Sequence, residues 1–193
     1  MQAATDTVAA WRADAELIER SWRDPDRFAE VFDRYYDDIH GYAARRLGAS
    51  LADDVASETF LIAFDRRRRF DLAYADARPW LYGIASNLIA RHRRAEVRRY
   101  RAVAKAGAGA VFDAEAEQVA GRLDARALRG RLAAALVDLP HREREVLLLV
   151  AWAQLSCEEA AQALGIPAGT ARSRLHRARR RTRASLEEAP WTT

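Results

Sequence analysis

The chain has 193 residues, half of them apolar, with 32 basic and 28 acidic side chains, enough for one ordinary domain or two small ones with real cores. No apolar run approaches the roughly 20 residues of a membrane span, and the N-terminus lacks a basic-then-apolar signal. A single cysteine, Cys157, excludes a disulfide framework and any multi-cysteine metal site, so the expectation is a soluble, cytoplasmic protein with no metal and no cofactor.

The net charge of +4 hides a pattern. Residues 1–65 sum to −7, residues 66–105 to +9, residues 106–145 to −1 and residues 146–193 to +3. Acidic and basic blocks in alternation point to two kinds of partner, or else to solvated faces. Every basic residue except Lys105 is arginine, a bias that either genomic base composition or a demand for planar anion-binding forks explains.

Sparse glycine and proline, without β-branched alternation, predict an all-α chain. Trp11, Leu17, Ile18 and Trp22 belong to a short first helix. Asp24-Pro25 then reads as an N-cap followed by the first helical position. Phe28, Val31, Phe32, Tyr35, Tyr36, Ile39, Tyr42 and Ala43 recur at helical spacing behind it, up to Gly48. A helix from about Leu51 to Arg67 buries Val55, Thr59, Ile62 and Ala63 or their neighbours. Arg68 to Asp76 form a polar and aromatic loop, and a helix from about Ala77 to Arg99 carries the stripe Trp80, Leu81, Ile84, Ala85, Leu88 and Ile89. Between Tyr100 and Gly121 alanine and glycine dominate and the periodicity fades, as in a flexible linker, helical in part or not. The expected organisation is a first domain at 1–99, a linker at 100–121 and a second domain at 122–193.

The second domain opens with a helix bearing Leu123, Leu128, Leu132, Leu136 and Val137, closed by Leu139-Pro140. A further helix spans Glu145 to Ala153. Ser156 and Glu159 form a capping box, Gly165 a left-handed C-cap, and a basic helix runs from Gly169-Thr170 to about Glu187. That succession is a helix-turn-helix. At 100° per residue, Ala171, Leu175, Ala178 and Thr182 face the core, while Arg172, Ser173, His176, Arg177 and Arg180 share the other side. Arginines there suit guanine edges or phosphates, and short polar residues let the backbone come close.

Three blocks resemble a bacterial sigma factor of the extracytoplasmic-function (ECF) type. They are Ala52-Asp53-Asp54-Val55-Ala56-Ser57-Glu58-Thr59-Phe60-Leu61, Pro79-Trp80-Leu81-Tyr82-Gly83-Ile84-Ala85-Ser86-Asn87, and Leu139-Pro140 through Glu145-Val146-Leu147 followed by Gly169-Thr170-Ala171-Arg172-Ser173-Arg174-Leu175. The resemblance covers about residues 14 to 183. It implies a factor that binds core RNA polymerase, reads minus-ten and minus-thirty-five promoter elements and helps melt the duplex. The implied polymerase contacts are Asp53, Asp54, Glu58, Phe60 and Leu61 on the β′ clamp helices, with the second domain at the β flap. Minus-ten DNA falls to Arg69, Phe70, Tyr74, Arg78, Trp80, Asn87, Arg91 and Arg94, with a flipped base at the loop 68–76 and Asn87. Minus-thirty-five DNA falls to Thr170, Arg172, Ser173, Arg174, His176, Arg177 and Arg180. The family also implies an anti-sigma factor.

The residues agree in kind with these roles. Asp53, Asp54 and Glu58 share one helical face, suited to a basic protein partner. Cations interleaved with aromatics from Arg66 to Arg94 suit unstacked bases, and an Asn amide can read a base edge. Trp80 serves equally well as core or as stacking platform. Two departures stand out, for Ser57 replaces a common glutamine and Gly83 a common basic residue, at a helix-interior cost of about 1 kcal/mol relative to alanine. The chain is not expected to be an enzyme. His40, His92, His141 and His176 are scattered, no HExxH, Walker or G-x-S-x-G motif is present, and Cys157 reads as a small buried side chain. The alternatives are a DNA-binding regulator that works without polymerase, and an interaction protein whose acidic face serves another basic partner. No appended C-terminal sensing domain is expected, since no long segment follows Glu188 in this sequence.

Overall fold

A computed structural model describes residues 14–106 and 119–187, and the regular structure among them is helical. Residues 14–20 form α1. A 3-10 turn at Pro25–Phe28 leads into α2 (Ala29–Leu47), followed by α3 (Ala49–Arg66), a second 3-10 turn (Arg67–Arg69), α4 (Arg78–Arg91) and α5 (Arg93–Ala106). The second unit comprises α6 (Val119–Asp138), α7 (His141–Ala151), α8 (Cys157–Leu164) and α9 (Ala168–Glu187). Trp11 and residues 107–118 of the expected linker lie outside the described residues.

The first unit follows its apolar periodicity. Phe28, Val31, Tyr35, Ile39, Tyr42 and Ala43 are buried along α2, and Val55, Thr59 and Ala63 along α3. Gly48, at φ 96°, adopts the positive φ that lets the chain pass from α2 into α3. Asp24 differs from expectation: its side chain makes no cap hydrogen bond but pairs with Arg27 at 3.2 Å. Pro25 opens the 3-10 turn, so the α-helix itself starts only at Ala29. Asp14, fully buried, accepts hydrogen bonds from Arg34, from the Tyr35 hydroxyl at 2.5 Å and from the Ala77 backbone N–H at 3.1 Å. One carboxylate thus ties α1 to α2 and to the start of α4.

The helix expected from about Ala77 to Arg99 is two helices. His92, at φ −94° and ψ 17°, separates α4 from α5, and its N–H bonds to the Ile89 carbonyl at 2.8 Å. Helix α5 then buries Glu96, Tyr100 and Val103 and continues to Ala106, beyond the expected start of the linker at residue 100. Helical structure resumes at Val119.

The two units pack against each other. A continuous apolar core joins Tyr42, Tyr82 and Tyr100 of the first to Leu136, Leu139, Leu148, Leu149, Leu155 and Ala160 of the second. Helix α4 is therefore buried beyond its expected stripe, with Tyr82, Gly83 and Ser86 also enclosed. At Gly83 a Cβ atom would lie 2.5 Å from the Ala163 carbonyl oxygen of α8, closer than real side chains come, which accounts for the glycine.

Beneath this seam sits Arg46, with no exposed surface. Its Nε donates to Glu96 Oε1 at 2.7 Å, its Nη1 to the Tyr42 hydroxyl at 2.8 Å and to Glu145 Oε2 at 3.0 Å, and its Nη2 to Glu145 Oε1. Burial opposes the guanidinium charge, yet Tyr42, Glu145 and Glu96 hold its pKa well above the ordinary arginine value. Burial pushes the Tyr42 hydroxyl up to about 12. Arg144, also buried, donates to the Leu136 carbonyl at 2.8 Å and lies 3.7 Å from Glu96 Oε2. Two arginines and two carboxylates from α2, α5 and α7 thus neutralise one another across the seam.

Replacing Asp14 by alanine leaves the Tyr35 hydroxyl and the Ala77 N–H without an acceptor. At about 1.5–3 kcal/mol per hydrogen bond to a charged group, Asp14→Ala should lower stability in urea by about 3 kcal/mol. A midpoint equal to wild type would refute the tie.

Candidate nucleic-acid interface

Helix α3 presents Asp53, Asp54 and Glu58 to solvent on one side. His40 lies 3.0 Å from Asp53, and Arg91 of α4 pairs with Glu58 at 3.0 Å. Leu61 is 62% exposed beside them, with Phe32 of α2 at 38%. Phe60, expected to be a contact, is only 4% exposed and packs beneath Phe32 at 5.0 Å and Tyr36 at 6.1 Å. It supports the surface from below. Leu61 on α3 and Phe32 on α2 are the exposed large apolar side chains of these two helices, and the exposed flank of the α2 stripe was the sequence signal for Phe32.

The loop after α3 is held by its own arginines. Arg67 donates to the Ser21 carbonyl at 3.2 Å and the Phe64 carbonyl at 2.7 Å, and Arg68 to the Trp22 carbonyl at 3.0 Å. Trp22 returns a bond from Nε1 to the Arg67 carbonyl at 3.1 Å. Two of the four cations Arg66 to Arg69 are thus structural, while Arg66 and Arg69 are exposed. The Asp71 side chain accepts from the Ala73 N–H at 3.0 Å, and Tyr74 stands out at 47% exposure. Phe70, expected on the minus-ten DNA, is buried against Trp80 with ring centroids 5.1 Å apart, so in this structure the ring packs beneath the surface. Trp80 is half-buried, compatible with either of its two expected roles.

Asp76 accepts from the Arg78 N–H at 2.8 Å at the start of α4, and burial raises its pKa despite that bond. The Arg78 guanidinium donates to the Ala153 carbonyl of the second unit. Asn87, Arg91 and Arg94 are exposed, and the Asn87 amide has no partner among the described residues. Arg93, Arg94, Arg98 and Arg101 line an open cleft of about 440 Å³ on α5. Arg98 and Arg101 were not singled out in the sequence: Arg98 lay at the end of the expected helix, and Arg101 where the periodicity was taken to fade.

In the second unit the local signals hold atom for atom. The Ser156 hydroxyl accepts from the Glu159 N–H at 3.1 Å, and the Glu159 carboxylate accepts from the Ser156 N–H at 2.6 Å. Gly165 closes α8 at φ 61°, in the left-handed region. On α9, Ala171, Leu175 and Ala178 are buried, and Arg172, Ser173, His176, Arg177 and Arg180 are exposed. Thr170 and Arg174 are half-buried. Arg172 pairs with Glu158 at 3.3 Å and Arg177 with Glu143 at 3.0 Å. Each contact uses one donor of a five-donor fork, which aims the guanidinium and leaves its other N–H groups free. Thr170, Arg174 and Arg177 share a cleft of about 430 Å³ with Arg142 at the α7 N-terminus and Arg93 of α5. Arg142 was missed because nothing in its own segment places it beside α9.

Glu96, His141 and Glu145 bring possible ligand atoms within 4.8 Å of one another. Arg46 and Arg144 already neutralise both carboxylates, so a divalent ion would add two buried positive charges beside two guanidiniums. Burial, with Arg144 and Arg46 alongside, lowers the His141 pKa against the pull of Glu145 and Glu96. The chemistry is that of a buried charge cluster.

The family model for Sigma-70 region 2 matches residues 31–99, and that for Sigma-70, region 4 matches residues 129–182. The ECF RNA polymerase sigma factor SigW of Bacillus subtilis is 32% identical over 172 residues, covering 86% of this chain and 91% of SigW. The chain belongs to the ECF sigma factors. SigL of Mycobacterium tuberculosis is 32% identical over 161 residues, covering 82% of this sigma factor and 88% of SigL. The solved structure of CnrH in complex with the cytosolic domain of CnrY shares the fold, with a TM-score of 0.65 and 24% identity over 92% of this chain and 99% of that one. As a sigma factor the chain acts with RNA polymerase in transcription initiation. No helix among the described residues is long and apolar enough to cross a membrane.

The capping box positions the helix-turn-helix of this sigma factor. Ser156→Ala should lower the unfolding free energy by about 1 kcal/mol, and measured stability equal to wild type would show that the box contributes nothing.

Proposed function

We propose that this ECF sigma factor reads a promoter through two separate surfaces while a third holds the polymerase. The observation that carries the reading is the distribution of charge: carboxylates on α3 with exposed Leu61, exposed arginines on α5 and α9, and Arg91 of α4 at the boundary, paired with Glu58. Asp53, Asp54, Glu58 and Leu61 form the polymerase-facing surface, where negative charge repels DNA and complements a basic protein such as the β′ clamp helices. The second domain then lies at the β flap. Tyr74, Trp80 and Asn87, flanked by Arg69, Arg91 and Arg94, take the minus-ten element, recovering unstacking energy by stacking and by reading an extruded base. Arg172, Ser173, His176, Arg177 and Arg180, with Thr170 and Arg174, read the minus-thirty-five element from the major groove.

The chain itself is a non-catalytic specificity subunit that works in the cytoplasm, where polymerase and chromosome are. Its relatives support a further partner. CnrH is solved with the cytosolic domain of CnrY, and RpoE of Bartonella quintana with the anti-sigma factor NepR. We infer that an anti-sigma factor also restrains this chain.

The deciding experiment is co-migration with sigma-free core polymerase, followed by run-off transcription of genomic fragments and sequencing of the starts. Stable binding with a shared pair of upstream motifs is the expected result. Tight duplex binding without core binding would instead favour an autonomous regulator. Leu61→Glu should weaken core binding at least tenfold, about 1.4 kcal/mol, without loss of helicity; unchanged co-migration would remove α3 from the interface. Arg172→Ala and Arg177→Ala should each weaken recognition of the upstream element by about 1–3 kcal/mol. Asn87→Ala should relax base preference in the minus-ten element with core binding intact, a result checked by a base-substitution series.

A further inference from the structure

We propose that the cleft between α5, α7 and α9 binds a linear inorganic polyphosphate, and that the occupied cleft excludes duplex DNA from α9. Exclusion of DNA rests on the minus-thirty-five reading above; the anion site stands on the cleft alone.

Arg93 of α5, Arg142 at the start of α7, and Arg174 and Arg177 of α9 line this cleft of about 430 Å³ together with Thr170. Its one carboxylate, Glu143, is already engaged by Arg177 at 3.0 Å and by Arg181 at 3.4 Å. Arg93, Arg142 and Arg174 make no ion pair or hydrogen bond with other described residues. Elsewhere on the surface Arg91 and Arg172 each have a glutamate of their own. Three uncompensated guanidiniums from three helices, converging on a concave surface, focus a positive potential that an anion from outside can neutralise. The α7 N-terminus opens on the same place, where first-turn N–H groups without intrahelical acceptors add partial positive charge.

The cations form a row. Arg93 also lines the neighbouring cleft of about 440 Å³, with Arg94, Arg98 and Arg101, none of which has a partner among the described residues. From Arg93 to Arg101 the helix rises about 12 Å. A chain of phosphoryl groups fits such a row, since each guanidinium fork takes a phosphate through two parallel N–H bonds. Neither cleft is lined by Phe, Tyr or Trp, so a nucleobase finds no ring to stack on, which favours phosphates without bases over single-stranded nucleic acid. A duplex is too broad to enter the cleft and lies instead across the outer face of α9. Thr170, Arg174 and Arg177 serve both ligands, so one occupant displaces the other.

Calorimetric titration of the full chain with orthophosphate, tripolyphosphate and a longer inorganic polyphosphate, at matched ionic strength, tests the site. Affinity should rise steeply with chain length and fall with salt, as release of several counterions requires. Arg142→Gln and Arg93→Gln, both outside the promoter-reading set, should each weaken polyphosphate binding about tenfold, with far-ultraviolet dichroism and core-polymerase binding unchanged. Binding indifferent to chain length, or undiminished in both variants, would overturn the site. Equally tight binding of a single-stranded oligonucleotide of the same charge would replace it with a nucleic-acid surface. Preincubating the chain with polyphosphate before adding core polymerase should suppress run-off transcription, with about tenfold more polyphosphate needed for Arg142→Gln. Undiminished transcription would overturn the exclusion of DNA. Arginine-dependent polyphosphate binding by a chain that supports no transcription even without polyphosphate would support the site and overturn the promoter reading instead.

Discussion

A guanidinium with no exposed surface must find its counter-charges inside the protein, and Arg46 finds them on helices far apart in sequence. An uncompensated charge at that depth would cost several kcal/mol, so the positions of α2, α5 and α7 are interdependent. Glu96 has to face inward, which sets the rotation of α5 after the break at His92. Glu145 has to reach the same point, which seats α7 against the first unit and brings α8 onto α4. Tyr42 and Tyr100 close the cluster with hydroxyl groups bonded to Arg46 and Glu96. Once this point is satisfied, the apolar core runs unbroken through both units.

The same cluster separates arginines that build the structure from arginines available to nucleic acid. Arg46 and Arg144 are enclosed, Arg67 and Arg68 anchor the loop after α3, and Arg78 reaches across the seam. Arg69, Arg94, Arg172 and Arg180 remain exposed. A net charge counted along the chain cannot distinguish these groups. The electrostatic footprint offered to a polyanion is smaller than the count of basic residues, and concentrated on α5 and α9, where two arginine-lined clefts meet at Arg93.

Acidic side chains show the converse. Glu143 and Glu158 hold Arg177 and Arg172 in place at the base of the reading helix, and Glu58 holds Arg91. The Arg172–Glu158 and Arg91–Glu58 pairs are solvent-exposed and contribute little to stability, whereas Glu143 is buried under Arg177. Their consequence is orientation: each holds one long side chain in a single direction and so lowers the entropy that side chain would lose on any further contact.

The helix-turn-helix was legible to single residues, because the capping box, the left-handed Gly165 and the two faces of α9 depend on neighbours within a few positions. The amphipathic stripe of α2 and the exposed acids of α3 were legible for the same reason. The burial of Phe60 and Phe70 was not legible, because aromatic character alone does not reveal whether a ring lies on the surface or beneath Phe32 or Trp80. The break at His92 was hidden because residues 91–94 carry no glycine or proline to mark the end of a helix. By itself the sequence determined the helical class, the order of the helices, the turn-and-cap chemistry of the second domain and the alternation of charge, all of them consequences of local spacing. Only the tertiary structure decided that the two domains share a core, that Gly83 is an empty place for a carbonyl of α8, and that Arg46, Glu96 and Glu145 neutralise one another. Those facts depend on groups separated by 50 to 99 residues, which burial forces together and local spacing does not encode.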